Sequence, residues 1–303
     1  MKNRMSGYSE SNKRFGVLIT LPALFVLITL FIYPLVYSIC VSFTDYTVAN
    51  VLSGNGVSFV GLDNYISLLK NGKFLNTIKA TCLIAIPAVI LEFSIGLLIS
   101  ASVSRIRRFK GFFTTLFMMT IMIAPVVVSL LFKFLLGDEL GVLNGILKAI
   151  GLIRADIPWL TDENLARLSI TMIDTWQATS TIFLLLYTAI IAIPTDVIEA
   201  ARIDGAGVFQ CFFRVVLPMI KPVIVYSMVI RFMDAFRIFD APYMVTNGGP
   251  AGATESMSLF IYRKSWTDMD ISSASASSFV MMILLIIGMT LIRQIGKRRD
   301  KEV

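Results

Sequence analysis

Eight side chains in this sequence stand where their chemistry is out of place. Glu92, Asp174, Trp176, Gln177, Arg231, Asp234, Arg237 and Asp240 all fall within or at the edge of long apolar runs. An ionised group inside a bilayer costs about 2.5–3.5 kcal/mol on insertion scales, so such groups face a protein interior or a watery cavity. Carboxylates, an amide and guanidinium groups hydrogen-bond hydroxyls, and an indole face stacks on a ring, so these residues suit a passage for a hydroxyl-rich solute. The spacing admits a second reading. Arg231, Asp234 and Arg237 recur every three residues with alternating sign, which allows a ladder of ion pairs along one helix face that neutralises itself and fixes packing. Neither reading involves covalent chemistry. The chain has no His, its three Cys (Cys40, Cys82 and Cys211) stand singly, and no cluster of acids or Cys has ligand spacing, so catalytic residues and metal ligands are both expected to be none.

The elements that must position these groups are membrane spans. The chain is 56% hydrophobic and only 16% charged over 303 residues, with a mean hydropathy of +0.78, which excludes an ordinary soluble domain. A spanning helix needs about 20 apolar residues. Six stretches approach that length: Phe15 to Val41, Ala80 to Ser104, Phe112 to Leu136, Leu168 to Ile193, Pro218 to Phe239 and Ala274 to Ile292. The predicted fold is all-α and integral to the membrane, with a permease domain over residues 15–292 between tails at 1–14 and 293–303. The fifth span is the weakest, because Arg231, Asp234 and Arg237 interrupt it, and these charges with Asp240 are placed climbing its outer half. Pro22, Pro34, Pro87 and Pro125 are expected to kink their spans, and Lys133 to snorkel to the interface. The first apolar run, although preceded by "MKNR", has no A-x-A cleavage pattern and is expected to remain as an anchor.

Lys and Arg fix the orientation. They gather in the first tail (Lys2, Arg4, Lys13, Arg14), the turn "RIRRFK", the segment 194–221 and the last tail, and outnumber those of the other three loops over far fewer residues. That side is assigned to the cytoplasm, with both termini on it. The same topology accounts for the net charge of +7, so no nucleic-acid partner is expected.

One cytoplasmic loop is longer than a connection requires. "PTDVIEAARIDGAG" offers Asp196 as an N-cap with Glu199 three residues on, and Gly205 or Gly207 as a C-cap, which predicts a short helix of two to three turns. A second helix over Phe209 to Val216 is expected to end at Leu217 and Pro218, where the chain re-enters the membrane. Ala200 and Ala201 permit close approach of another surface, and Glu199, Arg202 and Asp204 supply charge-assisted contacts at its edge. The loop reads as a docking element at 194–221, against the alternative of an ordinary solvated surface helix.

The stretch "EAARIDGAGVFQCFFRVVLP" resembles the E-A-A-x3-G-x9-I-x-L-P signature of binding-protein-dependent ABC importer permeases, matching at Glu199, Ala200, Ala201, Gly205, Leu217 and Pro218, with Val215 in place of Ile. "FVGLDNYISLL" and "VTNGGPAGATESMSLFIYRKSW" are similar to the sugar branch of that family, and the Gly-Gly-Pro form to its first-subunit type. The maltose member of this type has extra spans and a large external domain that this chain lacks. The resemblance implies a bacterial cytoplasmic (inner) membrane location. It implies as partners a second permease in a heterodimer, ATP-binding subunits, an extracytoplasmic solute-binding protein and membrane lipid. It also implies that the loop transmits closure of the ATPase to the spans, and that Asn247, Gly248, Gly249 and Pro250 form an external loop near the binding protein or gate. No cofactor is expected on the chain itself, ATP and Mg being bound by the partner. Accordingly the Gly-Lys pairs at Gly72 and Gly296 lack the upstream Gly and following Ser or Thr of a phosphate-binding loop. The chain is therefore not expected to be an enzyme. The rival classes are an ion-coupled secondary transporter relaying through Glu92, Asp174 and Asp234, a membrane scaffold, and an ABC permease for an amino acid or peptide.

Overall fold

A computed structural model describes residue 15 and residues 17–298 apart from 55, 107 and 140. The first tail, and the last tail beyond residue 298, lie outside the described residues. The principal elements are helices α1 (Val17–Ser42), α2 (Asp63–Lys70), α3 (Gly72–Arg105), α4 (Lys110–Ile121), α5 (Pro125–Leu135), α6 (Val142–Ala149), α7 (Glu163–Ile191), α8 (Thr195–Ile203), α9 (Val208–Phe236), α10 (Met257–Tyr262) and α11 (Ile271–Arg298), with shorter helical turns at Val48–Leu52, Pro242–Thr246 and Arg263–Thr267. Four of them, α1, α3, α9 and α11, are each long and apolar enough to cross a membrane, and the number rises to six if each of two bent pairs is one span.

Those bent pairs have local causes. The predicted third span is broken: α4 and α5 meet at 93°. Ala124 precedes a proline, whose ring disfavours the helical conformation for it, and Ala124 is extended at φ −61°, ψ 136° with Pro125 starting α5. The second pair is α7 and α8, at 70°, where Pro194 is likewise extended. Pro22, Pro34, Pro87, Pro218 and Pro222 stay inside continuous helices. Pro34 and Pro218 each follow a widened turn in which an N–H reaches back five residues, Tyr33 to Ile28 and Leu217 to Phe212. A proline ring clashes with the carbonyl four residues back, and in both cases that carbonyl, of Leu30 or Arg214, lies in the widened turn. The chain therefore does not turn at Leu217–Pro218 as expected. It runs as one helix from Val208 into the fifth span.

The chain divides into two compact units. In the unit of residues 1–68 and 263–279, the "FVGLDNY" stretch ties a loop to the end of α1. Asn64 donates from Nδ2 to the carbonyls of Ser42 (2.9 Å) and Thr44 (2.7 Å), Tyr65 hydrogen-bonds Ser42 Oγ at 2.7 Å, and Phe59 stacks on Phe43. These bonds satisfy carbonyls that a helix end leaves open. Asp45 accepts from the backbone N–H and hydroxyl of Ser58, which hold its carboxyl below the usual carboxylate range.

In the unit of residues 69–262 and 280–303, α3 and α7 form the centre. Gly96 allows their close approach, since a Cβ there would lie 2.7 Å from Ile182 Cγ2, and Ser100 Oγ donates across to the Phe183 carbonyl at 2.9 Å. Helix α9 packs on both through a cluster that includes Ala85, Val89, Phe93, Ile182, Leu186 and Ala235.

Candidate functional site

The eight out-of-place side chains separate into distinct roles. Glu92 of α3, Asp174 of α7 and Arg231 of α9 converge into one ionic cluster. Arg231 donates from Nε and Nη2 to the two oxygens of Glu92 at 2.5 and 2.9 Å, and from Nη2 to Asp174 Oδ2 at 2.5 Å. Glu92 is fully buried, and Arg231 is 9% exposed. The bidentate geometry suits a guanidinium fork. The expected ladder within α9 is therefore corrected: the partners of Arg231 lie on two other helices, because desolvated carboxylates gain more from it than Asp234, exposed one turn away, could. Helix α9 also ends at Phe236, so Arg237 caps it and Asp240 lies beyond it. These two do not climb the span.

A cleft of about 320 Å³ opens beside the cluster, lined among others by Asp174, Gln177, Arg231, Asp234, Arg237 and Asp240. Six of the eight residues thus share one concavity. Glu92 stands behind Arg231, and Trp176 is 45% exposed and packs edge-on against Phe132. Gln177 has a second task, donating from Nε2 to the carbonyl of Ile123 at 3.2 Å, which falls in the break between α4 and α5 and has no helical partner there. The cleft also takes Thr181, which sequence reasoning passed over. Its signal was a hydroxyl in an apolar helix one turn from Gln177. The Nζ of Lys133 donates to the carbonyl of Met244 at 2.9 Å.

The "TNGGP" loop is held by its neighbours as well as by its turn chemistry. Thr254 donates to the Gly249 carbonyl at 2.7 Å, Asn76 donates to that of Gly252 and Arg167 to that of Ala253. Asn247 and Gly248 adopt positive φ, at 47° and 76°, whereas Gly249 does not. Pro250 follows a cis peptide bond.

On the Lys/Arg-rich side, α8 forms where the loop helix is expected. Its N-cap is Pro194 rather than Asp196, which falls in the first turn and faces the positive end of the helix. Gly205, at φ 83°, follows the cap residue Asp204, and the N–H of Ala206 closes on the carbonyl of Ala201 at 3.0 Å. No residue of α8 is buried. It has two faces. Thr195, Ile198, Glu199 and Arg202 line a cleft, while Asp196, Ala200 and Ile203 are exposed elsewhere, Ile203 at 86%. Val197 and Ile198 pack against a buried cluster of Ile190 and Ile193 at the end of α7 and Val216 and Ile220 of α9, with Leu217 beside them. The two motif ends, around Glu199 and at Leu217–Pro218, are thereby joined through one apolar contact.

Residues 93–301 match the family described as "Binding-protein-dependent transport system inner membrane component". The chain is 34% identical over 231 residues to "Probable ABC transporter permease protein YurN" of Bacillus subtilis, covering 76% of this chain and 79% of that protein. It is 30% identical over 281 residues to "sn-glycerol-3-phosphate transport system permease protein UgpA" of Agrobacterium fabrum, covering 91% and 92%. Its fold matches, at a TM-score of 0.82 and 20% identity, a chain of a bacterial ABC transporter "involved in the import of the acidic polysaccharide alginate", over 96% of this chain and 98% of that one.

Proposed function

The chain belongs to the family of binding-protein-dependent transport system inner membrane components, and from that premise we propose that it is the first-type permease subunit of an ABC importer for a sugar or sugar derivative. It forms the passage with a second permease, receives solute from an extracytoplasmic binding protein, and is driven by ATP hydrolysed, with Mg, in separate ATPase subunits. Both termini lie in the cytoplasm. The relatives named for glycerol-3-phosphate transport support the sugar-derivative class.

The observation that carries this reading is α8: nine residues with no side chain buried in a chain this apolar, backed by an apolar cluster that reaches α7 and α9. A helix so built is a surface for another protein, and its outward Ala200 and Ile203 are the contact points. Closure of the ATPase moves α8, and Ile190, Ile193, Val216 and Ile220 pass that movement to the spans. At the other end, the cleft beside Asp174 and Arg231 lies on the solute's route. Its carboxylates, guanidinium groups and the Gln177 amide offer donors and acceptors to hydroxyls.

Cross-linking tests this. Cys40, Cys82 and Cys211 are replaced by Ser, a single Cys is placed at Ala200, and the partner trapped in native membranes is identified by mass spectrometry. An ATPase subunit whose cross-link yield changes with ATP and vanadate is the expected result. Uptake that persists without any ATPase and collapses with the ion gradient would instead favour the ion-coupled transporter.

A further inference from the structure

Behind α8 lies a cleft of about 620 Å³, between α8, the end of α3 and the start of α4. Its polar lining carries three cations, Arg105, Lys110 and Arg202, against one carboxylate, Glu199. Its remaining wall is apolar and includes Ile190, Ile193, Cys211 and Val216. The two kinds of lining are ordered along the chain. Ala101, one helical turn deeper in α3 than Arg105, belongs to the apolar part, and Ile190 and Ile193 close the end of α7 just before Pro194. Arg105 at the end of α3, Lys110 at the start of α4 and Arg202 on α8 therefore form one end of the cleft, on the side rich in Lys and Arg, and the apolar wall continues from them along α3 and α7. That is the order of a phosphodiester headgroup above its acyl chains.

We propose that this cleft binds an anionic phospholipid of that leaflet, with its phosphodiester on Arg105, Lys110 and Arg202 and the start of an acyl chain against Ile190 and Val216. Basic pockets between spans at the cytoplasmic face are suited to anionic headgroups, and each cation near the surface contributes to the attraction. A protein occupant fits less well. The outward face of α8, with Ala200 and Ile203, remains free for one while the cleft face is filled. A bound lipid also has a mechanical effect: it fills the space between α8 and the α3–α4 turn, so that a push on α8 is not lost in closing an empty gap.

The test uses the complete transporter, purified with its partner subunits and returned to nanodiscs of phosphatidylcholine with graded phosphatidylglycerol. Lipid retained after dilution into detergent is read by native mass spectrometry. Arg105→Ser and Lys110→Ser should each weaken retention of phosphatidylglycerol by about fivefold, and together by about 25-fold, with phosphatidylcholine unchanged. Arg105→Lys should keep retention near that of the unmodified protein, and Lys70→Ser, outside the cleft, should have no effect. If the double variant does not assemble, the contrast between Arg105→Lys and Arg105→Ser decides the matter alone. A benzophenone carried on Ser104→Cys, in the background free of other Cys, should capture a phospholipid. The proposal is overturned by retention that ignores Arg105 and Lys110, by displacement of the lipid with excess inorganic phosphate, or by capture of the ATPase subunit at Ser104→Cys. Loss of cross-linking at Ala200 with lipid retention intact would count against the docking reading alone.

Discussion

Glu92, Asp174 and Arg231 lie among packed helices with their charges satisfied by one another, whereas Glu199, Arg202 and Asp204 stand exposed on or at the end of a helix with no buried residue. Both groups are acid and base in an apolar chain, yet they do opposite work. In the first, desolvation makes every missing partner costly, so the charges hold α3, α7 and α9 in one arrangement. In the second, water screens the charges, so they contribute little to the fold and remain available to something outside it. Burial, rather than residue type, separates a lock from the proposed contact surface.

The largest effect expected is from removing the cation of the lock. Arg231→Met leaves Glu92 buried without a partner and should destabilise the protein by about 3–5 kcal/mol, read as a fall in melting temperature in detergent. Replacing Glu92, Asp174 and Arg231 together by apolar residues of similar size should recover much of that loss while abolishing transport, which would separate packing from passage. Packing without charge gives the next effect. Gly96→Leu forces α3 from Ile182 and should cost about 1–3 kcal/mol by the same melt.

The contact surface should behave inversely. Ile203→Asp should leave the melting temperature unchanged and weaken ATPase association by roughly fivefold or more, measured by co-purification from membranes. An equal loss of stability would erase the distinction between the two regions. Gln177→Leu sharpens the comparison from between its extremes, since it orphans the Ile123 carbonyl and removes an amide from the cleft. A cost of about 1 kcal/mol with slower uptake is expected from paired melting and transport measurements.

The smallest effect is at Asp45. Its carboxyl is held below the ordinary value by bonds from Ser58, so the folded form is favoured above the unfolded pKa, near 3.9. The benefit disappears as pH falls through the lower folded value. Exchange of the Ser58 amide should accelerate only in that acid range, and Asp45→Asn should remove the dependence.

Much of the fold could be read from particular residues. The apolar runs around Ala80–Ser104 and Ala274–Ile292 are long enough that no other structure satisfies their backbone in a bilayer. Gly205 stops α8 because its backbone adopts a positive φ. The consequences of proline were harder to read. Pro125 breaks a span by 93° and Pro218 leaves a helix continuous, although both follow apolar residues. The difference lies in whether the preceding turn widens to relieve the ring or the preceding residue becomes extended. Neither choice is written in the spacing.

The sequence alone carried the apolar lengths that make this a membrane protein, the bias of its Lys and Arg, and the loop signature with its resemblance, because hydropathy, charge and short-range backbone preference act over a turn or a span. Only the tertiary structure decided that Arg231 answers Glu92 and Asp174 rather than Asp234, that Gln177 mends the break at Ile123, and that Glu199 and Arg202 line a cleft with the ends of α3 and α7 while Ile203 lies outside it. Those pairings join residues far apart in the chain, and burial sets their strength. Burial exists only once the helices have packed.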